Sequence, residues 1–137
     1  MGKSIYDAFQ TTENSEKGDG IVLNYGDYGK FRIHRAGGAN RRFGTLFQAK
    51  MKPHTRQLQT DTMDEDVARQ IAIEVYAKTV VIGWEGVIGR DGQELPFSQE
   101  SCIQLFTDLP DLFRDIQAAA QDRSLFLADA QKAAEGN

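Results

Sequence analysis

The sequence predicts a helix-rich α+β domain in which an N-terminal antiparallel β-hairpin packs on about four α-helices. Apolar and polar residues alternate on both sides of a glycine-rich turn near residue 27, which is typical of a hairpin. Apolar residues then recur at steps of three and four in the later segments. The length of 137 residues is that of one domain. We assign residues 1–17 to a flexible N-terminal lead-in and residues 18–137 to a single globular domain.

The hairpin is predicted from two short alternating runs joined by Gly26-Asp27-Tyr28-Gly29. The alternation places Ile21, Leu23, Phe31 and Ile33 on one buried face. His34 continues the second run on the opposite side, where it is expected to be an ordinary surface histidine. Because a lone hairpin is marginally stable in water, this one must pack on helices or pair with another strand.

Two helices are predicted after the hairpin. The first covers Asn40–Met51 and the second covers Asp64–Lys78, with residues 54–60 between them as a loop. Thr62 and Glu65 have the spacing of a capping box at the start of the second helix. The β-branched run Thr79–Ile82 that follows fits either a last helical turn or a short strand.

The stretch Val80–Glu100 links these elements to the C-terminal half. It contains Trp84, the single tryptophan of the chain, which is expected either to fill the core or to anchor an interface. Ser98 is the expected N-cap of the next helix. A last helix is predicted from Pro110 to about Ala134, since proline is tolerated in a first helical turn.

Charge is unevenly distributed along the chain. The block of residues 30–56 contains eight Lys and Arg residues and no Asp or Glu, although the net charge of the chain is −4. Such a block fits an acidic partner, nucleic acid or the acidic half of the same protein. The sequence pI of about 5.1 makes a nucleic-acid-binding domain the less favoured interpretation.

No catalytic constellation is predicted, and the expectation is a protein that is not an enzyme and has no cofactor or metal site. His34 and His54 have no carboxylate or cysteine at metal-ligand spacing. Cys102 is expected to be a buried small apolar residue. The N-terminus has no apolar run that would serve as a signal peptide, and no run is long enough to span a membrane.

Several segments, in their order along the chain, resemble the tail assembly chaperones of long-tailed, siphovirus-like bacteriophages and prophages. The resemblance covers residues 18–130. It is carried by Ala36–Asn40, Asp66–Ala68, Glu74–Ala77, Trp84–Val87, Asp91-Gly92, Leu95–Glu100, Leu105, Leu109–Phe113, Ile116, Ala119 and Phe126. One departure is Glu100-Ser101, where such proteins often have Glu-Asn after Phe-Ser-x.

The resemblance implies a small, non-enzymatic protein of the host bacterial cytoplasm that is absent from the mature virion. Its partners would be the phage tape-measure protein, which it binds, and the tail-tube protein, whose subunits it helps to recruit. Alternatives are a structural virion component, such as a head–tail connector or minor tail protein, and a nucleic-acid-binding regulator that uses residues 30–56. Neither membrane association nor nucleic-acid binding is expected of a chaperone of this kind.

The residues predicted to contact a protein partner form two groups. An apolar groove near the linking stretch is expected to have Trp84, Phe97 and Phe106 among its walls. Acidic surface of a client or of a neighbouring copy is expected to contact Arg41, Arg42, Lys50 and Lys52. The acidic last helices offer a complementary patch, which makes a head-to-tail homo-oligomer possible.

Overall fold

The computed structural model describes residues 2–128. Four helices in this part of the chain have ten or more residues: α3 (Arg41–Met51), α5 (Glu65–Thr79), α6 (Gln99–Asp108) and α7 (Pro110–Gln121). One-turn helices are α1 (Ile5–Phe9), α2 (Glu13–Lys17) and α4 (Thr55–Gln59). The strands are β1 (Ile21–Asn24), β2 (Lys30–Ile33) and β3 (Val81–Glu85). The predicted helix-rich α+β fold is confirmed.

The three strands form one antiparallel sheet in the order β1-β2-β3. The hairpin has the predicted buried face, because Phe31 and Ile33 are buried and Ile21 and Leu23 pack against the same core. β3 supplies the third strand. The run Thr79–Ile82, which fitted either a helical turn or a strand, is divided: Thr79 ends α5, and Val81 and Ile82 begin β3. The hairpin therefore finds both a partner strand and a helical layer.

A bulge in β3 lets two of its side chains face the same core. Arg32 pairs with Gly83, whereas the next residue, Ile33, pairs with Val81, so Ile82 has no partner of its own. Side chains alternate along a strand, and Val81 and Trp84 would otherwise lie on opposite faces. Val81 is buried and Trp84 packs on Phe31 with 5.4 Å between ring centroids.

The core lies between the sheet and the four long helices. α5 contributes Ile73 and Tyr76, and α6 and α7 contribute Phe106, Phe113 and Ile116. Three of these rings are linked, since Phe113 packs edge-on to Tyr76 at 5.3 Å and lies 5.1 Å from Phe106. The apolar helical pattern thus corresponds to core packing in α5, α6 and α7, whereas α3 has no buried residue and packs against the core through the partly buried Phe43.

The start of α5 differs from the prediction. The Asp64 carboxylate, and not the Thr62 hydroxyl, accepts the hydrogen bonds of the first helical N–H groups, from Asp66 and Val67. Thr62 instead donates its backbone N–H to the carbonyl oxygen of Gln57, in the turn before the helix. A carboxylate is an equally good N-cap and also complements the helix dipole. The predicted start of α6 at Ser98 is confirmed, with Ser101 completing a capping box.

The prediction is also wrong for residues 54–60 and for the C-terminal end of α7. Residues 54–60, predicted as a loop, contain α4, which continues from a 3₁₀ turn over Lys52–His54. α7 ends at Gln121 and does not continue, because Asp122 adopts an extended conformation and caps a 3₁₀ turn over Arg123–Phe126. This turn brings Phe126 into the core, fully buried. The rest of the helix predicted to reach Ala134 lies outside the described residues.

The segment predicted as a flexible lead-in, residues 1–17, contains α1 and α2. Ser15 and Glu16 in α2 are buried, and the backbone N–H of Thr12 donates to the carbonyl oxygen of Phe126. An isolated bridge between Thr11 and Leu127 continues this contact. The segment after residue 10 is therefore packed on the domain and joined to the end of the described chain.

His34 is buried, so the prediction of a surface histidine is wrong. Its Nε2 lies 2.7 Å from the carbonyl oxygen of Gly18. β2 ends at Ile33, and the strand alternation that was extended to His34 no longer applies. The segment that leads from α2 into β1 covers the ring.

Candidate protein-interaction surfaces

Trp84 and Phe97 form one contact in the linking stretch. Their rings pack edge to face with 5.0 Å between centroids, and both side chains are half-buried. The indole Nε1 of Trp84 donates a 2.8 Å hydrogen bond to the carbonyl oxygen of Leu95. The pair therefore holds residues 84–97 together as a loop and keeps an exposed edge.

Phe106 does not line a surface groove. Its side chain is fully buried and packs against Phe113 from α7. Cys102, one turn earlier in α6, is also fully buried, and burial raises the pKa of its thiol to about 12. The predicted groove with three aromatic walls is therefore replaced by one half-exposed pair, Trp84 and Phe97, above an aromatic core.

A second surface lies between α3, the end of α5 and the start of α6. We call this depression of about 530 Å³ the basic groove; its lining includes Arg41, Arg42, Leu46, Ala49, Lys78 and Gln99. Arg42 Nη2 donates a 3.1 Å hydrogen bond to the carbonyl oxygen of Lys78, which stabilises the C-terminal end of α5. Within residues 2–128, Arg41, Arg42 and Lys78 form no ion pair with a carboxylate.

The α3 side of the basic groove is a regular helical strip. Arg42, Thr45, Leu46 and Ala49 line it, and they follow one another at positions i, i+3, i+4 and i+7. Thr45 and Ala49 are exposed and small, and Leu46 is half-buried between them. The strip thus combines a cationic end with an apolar middle that a second helix can approach closely.

The other two predicted basic residues occupy different environments. Lys50 Nζ lies 3.1 Å from Glu74 Oε2 in α5, so its charge is balanced within the protein. Lys52 is exposed and borders a separate depression of about 530 Å³ between α3 and α4. We call this depression the apolar shelf; Phe47, Met51 and Leu58 form its apolar part.

Some residues of these surfaces are not predicted from the sequence. Lys78 and Gln99 join the basic groove only because α5 and α6 end and begin beside α3. Leu58, predicted to lie in a loop, is part of α4 and lines the apolar shelf together with Phe47 and Met51 of α3, where it is 52% exposed. In the sequence, the one indication of this is that Leu58 is the single hydrophobic residue in the polar run 54–60.

The basic groove and the apolar shelf are lined mainly by apolar and cationic side chains. Among residues 2–128 there is no group of three or more His, Cys, Asp or Glu side chains that could hold a metal ion. Over the same residues no helix is long and apolar enough to cross a membrane. Clustered exposed apolar side chains and arginine are features of protein interfaces.

Comparison with known proteins identifies the source of the chain. No curated protein and no solved structure matches it. Residues 38–137, which include the basic groove, the apolar shelf and the linking stretch, match the family model described as YdaY prophage protein. The chain therefore belongs to the YdaY prophage protein family.

Proposed function

We propose that this prophage protein is a non-enzymatic tail assembly chaperone that binds the tape-measure protein and helps to recruit tail-tube subunits. The apolar shelf is the observation that supports this proposal most directly. Phe47 and Leu58 are 38% and 52% exposed, and together with Met51 they line one depression. Apolar side chains gathered at a surface are a common feature of sites that bind another protein.

The geometry of the shelf suits a helical client. α3 and α4 are joined by the 3₁₀ turn Lys52–His54, and side chains from both helices line the depression. An amphipathic helix that places apolar side chains on Phe47 and Leu58 would remove both from water. The protein that such a chaperone serves is long and helical, as the resemblance implies, and it offers many segments of this kind.

Copurification tests the shelf. The chain is coexpressed with the tape-measure protein of the same prophage, and the amount of client recovered with it is measured. Leu58→Asp is expected to reduce recovery strongly, because it places a charge on the apolar contact. The matched control is Tyr28→Asp, which adds the same charge at a side chain that is 84% exposed and outside the shelf.

Purified particles test the role itself. A chaperone acts during assembly and then leaves, so mass spectrometry of the particles is expected to detect the tail proteins without this chain. A fixed copy number of this chain in the particles would instead identify a structural virion component.

The copurification experiment has its own contradicting outcome. Equal client recovery with wild type, Leu58→Asp and Tyr28→Asp would remove the shelf as the binding site.

A further inference from the structure

We infer that the basic groove binds an acidic amphipathic helix of the client, with carboxylates at Arg41 and Arg42 and an apolar side chain on Leu46 and Ala49. This inference rests on the proposed function and adds a second, chemically different contact to it. The groove and the apolar shelf lie on different parts of α3 and share none of their lining residues.

The shape of the groove favours a helix as the occupant. Arg42, Thr45, Leu46 and Ala49 form a strip at the i, i+3, i+4, i+7 spacing by which one helix packs along another. The small side chains Thr45 and Ala49 allow the two backbones to approach. Lys78 and Gln99 form the opposite wall, so the occupant lies between α3 and the junction of α5 with α6.

The charge of the groove favours an acidic occupant. Arg41, Arg42 and Lys78 place three cations around the apolar floor, and no carboxylate of residues 2–128 pairs with them. Arginine forms two parallel hydrogen bonds with a carboxylate, which fixes the position of an Asp or Glu side chain as well as attracting it. A helix with Asp or Glu on either side of a Leu therefore fits both the cations and the floor.

Three of the four carboxylates of α6 and α7 have a partner within the same chain, whereas Glu100 is exposed and has none among residues 2–128. Asp108 accepts a 2.9 Å hydrogen bond from Gln104 and lies 3.9 Å from Arg90. Asp111 lies 3.5 Å from Arg114 in the next turn. Asp115 accepts a hydrogen bond from the Tyr25 hydroxyl. A second copy of the chain would have to compete with these internal partners at three of the four carboxylates, so the client is the favoured source of the acidic helix.

A fluorescent peptide provides the test. The probe is an acidic amphipathic peptide of about 20 residues, long enough to be helical in water, with Leu at i, i+3, i+4 and i+7 flanked by Glu. Its affinity is measured by fluorescence anisotropy at physiological ionic strength. Arg41→Glu/Arg42→Glu is expected to weaken binding by about tenfold or more. The same peptide with Lys in place of every Glu is expected not to bind.

Two further variants separate a specific site from general attraction between opposite charges. Lys30→Glu/Arg32→Glu makes the same change of charge on the exposed face of β2 and is expected to leave peptide affinity within about twofold. Ala49→Trp keeps the charge and fills the floor, so it is expected to weaken binding as much as the arginine reversal. The thermal unfolding midpoint of each variant shows that it is folded.

Three outcomes would overturn the inference. They are equal loss of affinity in both double charge reversals, tighter binding of duplex DNA than of the peptide at the same salt concentration, and self-association of the wild-type chain that Arg41→Glu/Arg42→Glu abolishes. Client recovery distinguishes this failure from failure of the proposed function. If the client copurifies equally with wild type and Arg41→Glu/Arg42→Glu, the chaperone role stands and the groove is not its acidic-helix site.

Discussion

Glu16 in α2 and Arg35 after β2 form a partly buried ion pair, with Arg35 Nη1 2.5 Å from Glu16 Oε2. The other oxygen, Oε1, accepts hydrogen bonds from the Thr11 hydroxyl at 3.0 Å and from the Ala39 backbone N–H at 3.3 Å. The carboxylate thus joins the N-terminal segment, the end of the sheet and the loop that leads to α3. The Glu16 side chain is 5% exposed, and these partners offset the cost of removing its carboxylate from water.

Replacing Glu16 tests how much this junction contributes to stability. Glu16→Ala leaves the Arg35 guanidinium without its carboxylate and the Ala39 N–H without its acceptor. We expect the free energy of unfolding to fall by about 3 kcal/mol, the lower end for a broken buried pair, because the remaining Arg35 is 22% exposed and keeps some contact with water. Urea denaturation followed by circular dichroism measures it. Glu13→Ala in the same helix removes an exposed pair with Lys17 and is expected to cost less than about 1 kcal/mol.

Gly20 provides a test of the approach of β1 to the end of β2. Its φ is +78°, and an added Cβ would point directly at the carbonyl group of Ile33, 3.1 Å from the carbon. Gly20→Ala combines this clash with backbone strain. Gly26→Ala has the strain alone, since its φ is +65° and nothing lies near its Cβ position. We expect Gly26→Ala to cost about 1 kcal/mol and Gly20→Ala clearly more. Equal urea midpoints would contradict the close approach.

The contact of Trp84 with Phe97 has an optical signal of its own. Phe97→Ala exposes the edge of the single indole and is expected to shift its fluorescence to longer wavelength. The same variant should lower the free energy of unfolding by about 2 kcal/mol, less than for a fully buried Phe. Tyr6→Ala, at a side chain that is 71% exposed, is expected to change neither quantity. An unchanged emission spectrum in Phe97→Ala would show that the rings are not in contact in solution.

Tyr25 makes stability depend on alkaline pH. Burial, and then the hydrogen bond to the Asp115 carboxylate and its charge, raise the pKa of the phenol above its ordinary value of 10.0. Above pH 10 the unfolded chain loses this proton while the folded protein keeps it, so the unfolded state binds fewer protons. The contribution of Tyr25 to the free energy of unfolding is therefore constant below pH 10, and it falls as the pH rises above 10.

Tyr25→Phe isolates that contribution. Burial also raises the pKa values of Tyr76 and Cys102, so the variant is expected to reduce the alkaline fall in stability without removing it. Urea midpoints measured at several pH values from neutral to alkaline give the slope for each protein. If wild type and Tyr25→Phe lose stability in parallel above pH 10, the hydroxyl of Tyr25 does not bond to Asp115 in solution.

Local patterns in the sequence were sufficient for most of the fold. The alternation of Ile21, Leu23, Phe31 and Ile33 predicted the hairpin and its buried face, because strand periodicity is a local property of the chain. The steps of three and four predicted α3, α5 and the beginning of α6 for the same reason. One error arises where one local device replaces another, since Asp64 rather than Thr62 caps α5, and another arises from tertiary packing, which buries His34.

The candidate surfaces depended much more on tertiary structure. Arg41 and Arg42 were identified from charge alone, but the sequence offered no reason to place Lys78 beside them. Phe106 and Phe97 have the same side chain, and only packing buries the first and leaves the second half-exposed. Lys50 is neutralised by Glu74 across the α3–α5 contact, which no short-range pattern reveals.

The sequence by itself determined the fold class, the hairpin, the long helices and the resemblance to phage proteins, since all of these follow from order and short-range spacing. The tertiary structure decided that Val81–Glu85 is a third strand with a bulge, that His34 and Glu16 are buried, and that α3 presents a basic groove and an apolar shelf. The physical reason is the same in each case. Burial and charge pairing depend on residues brought together from distant parts of the chain.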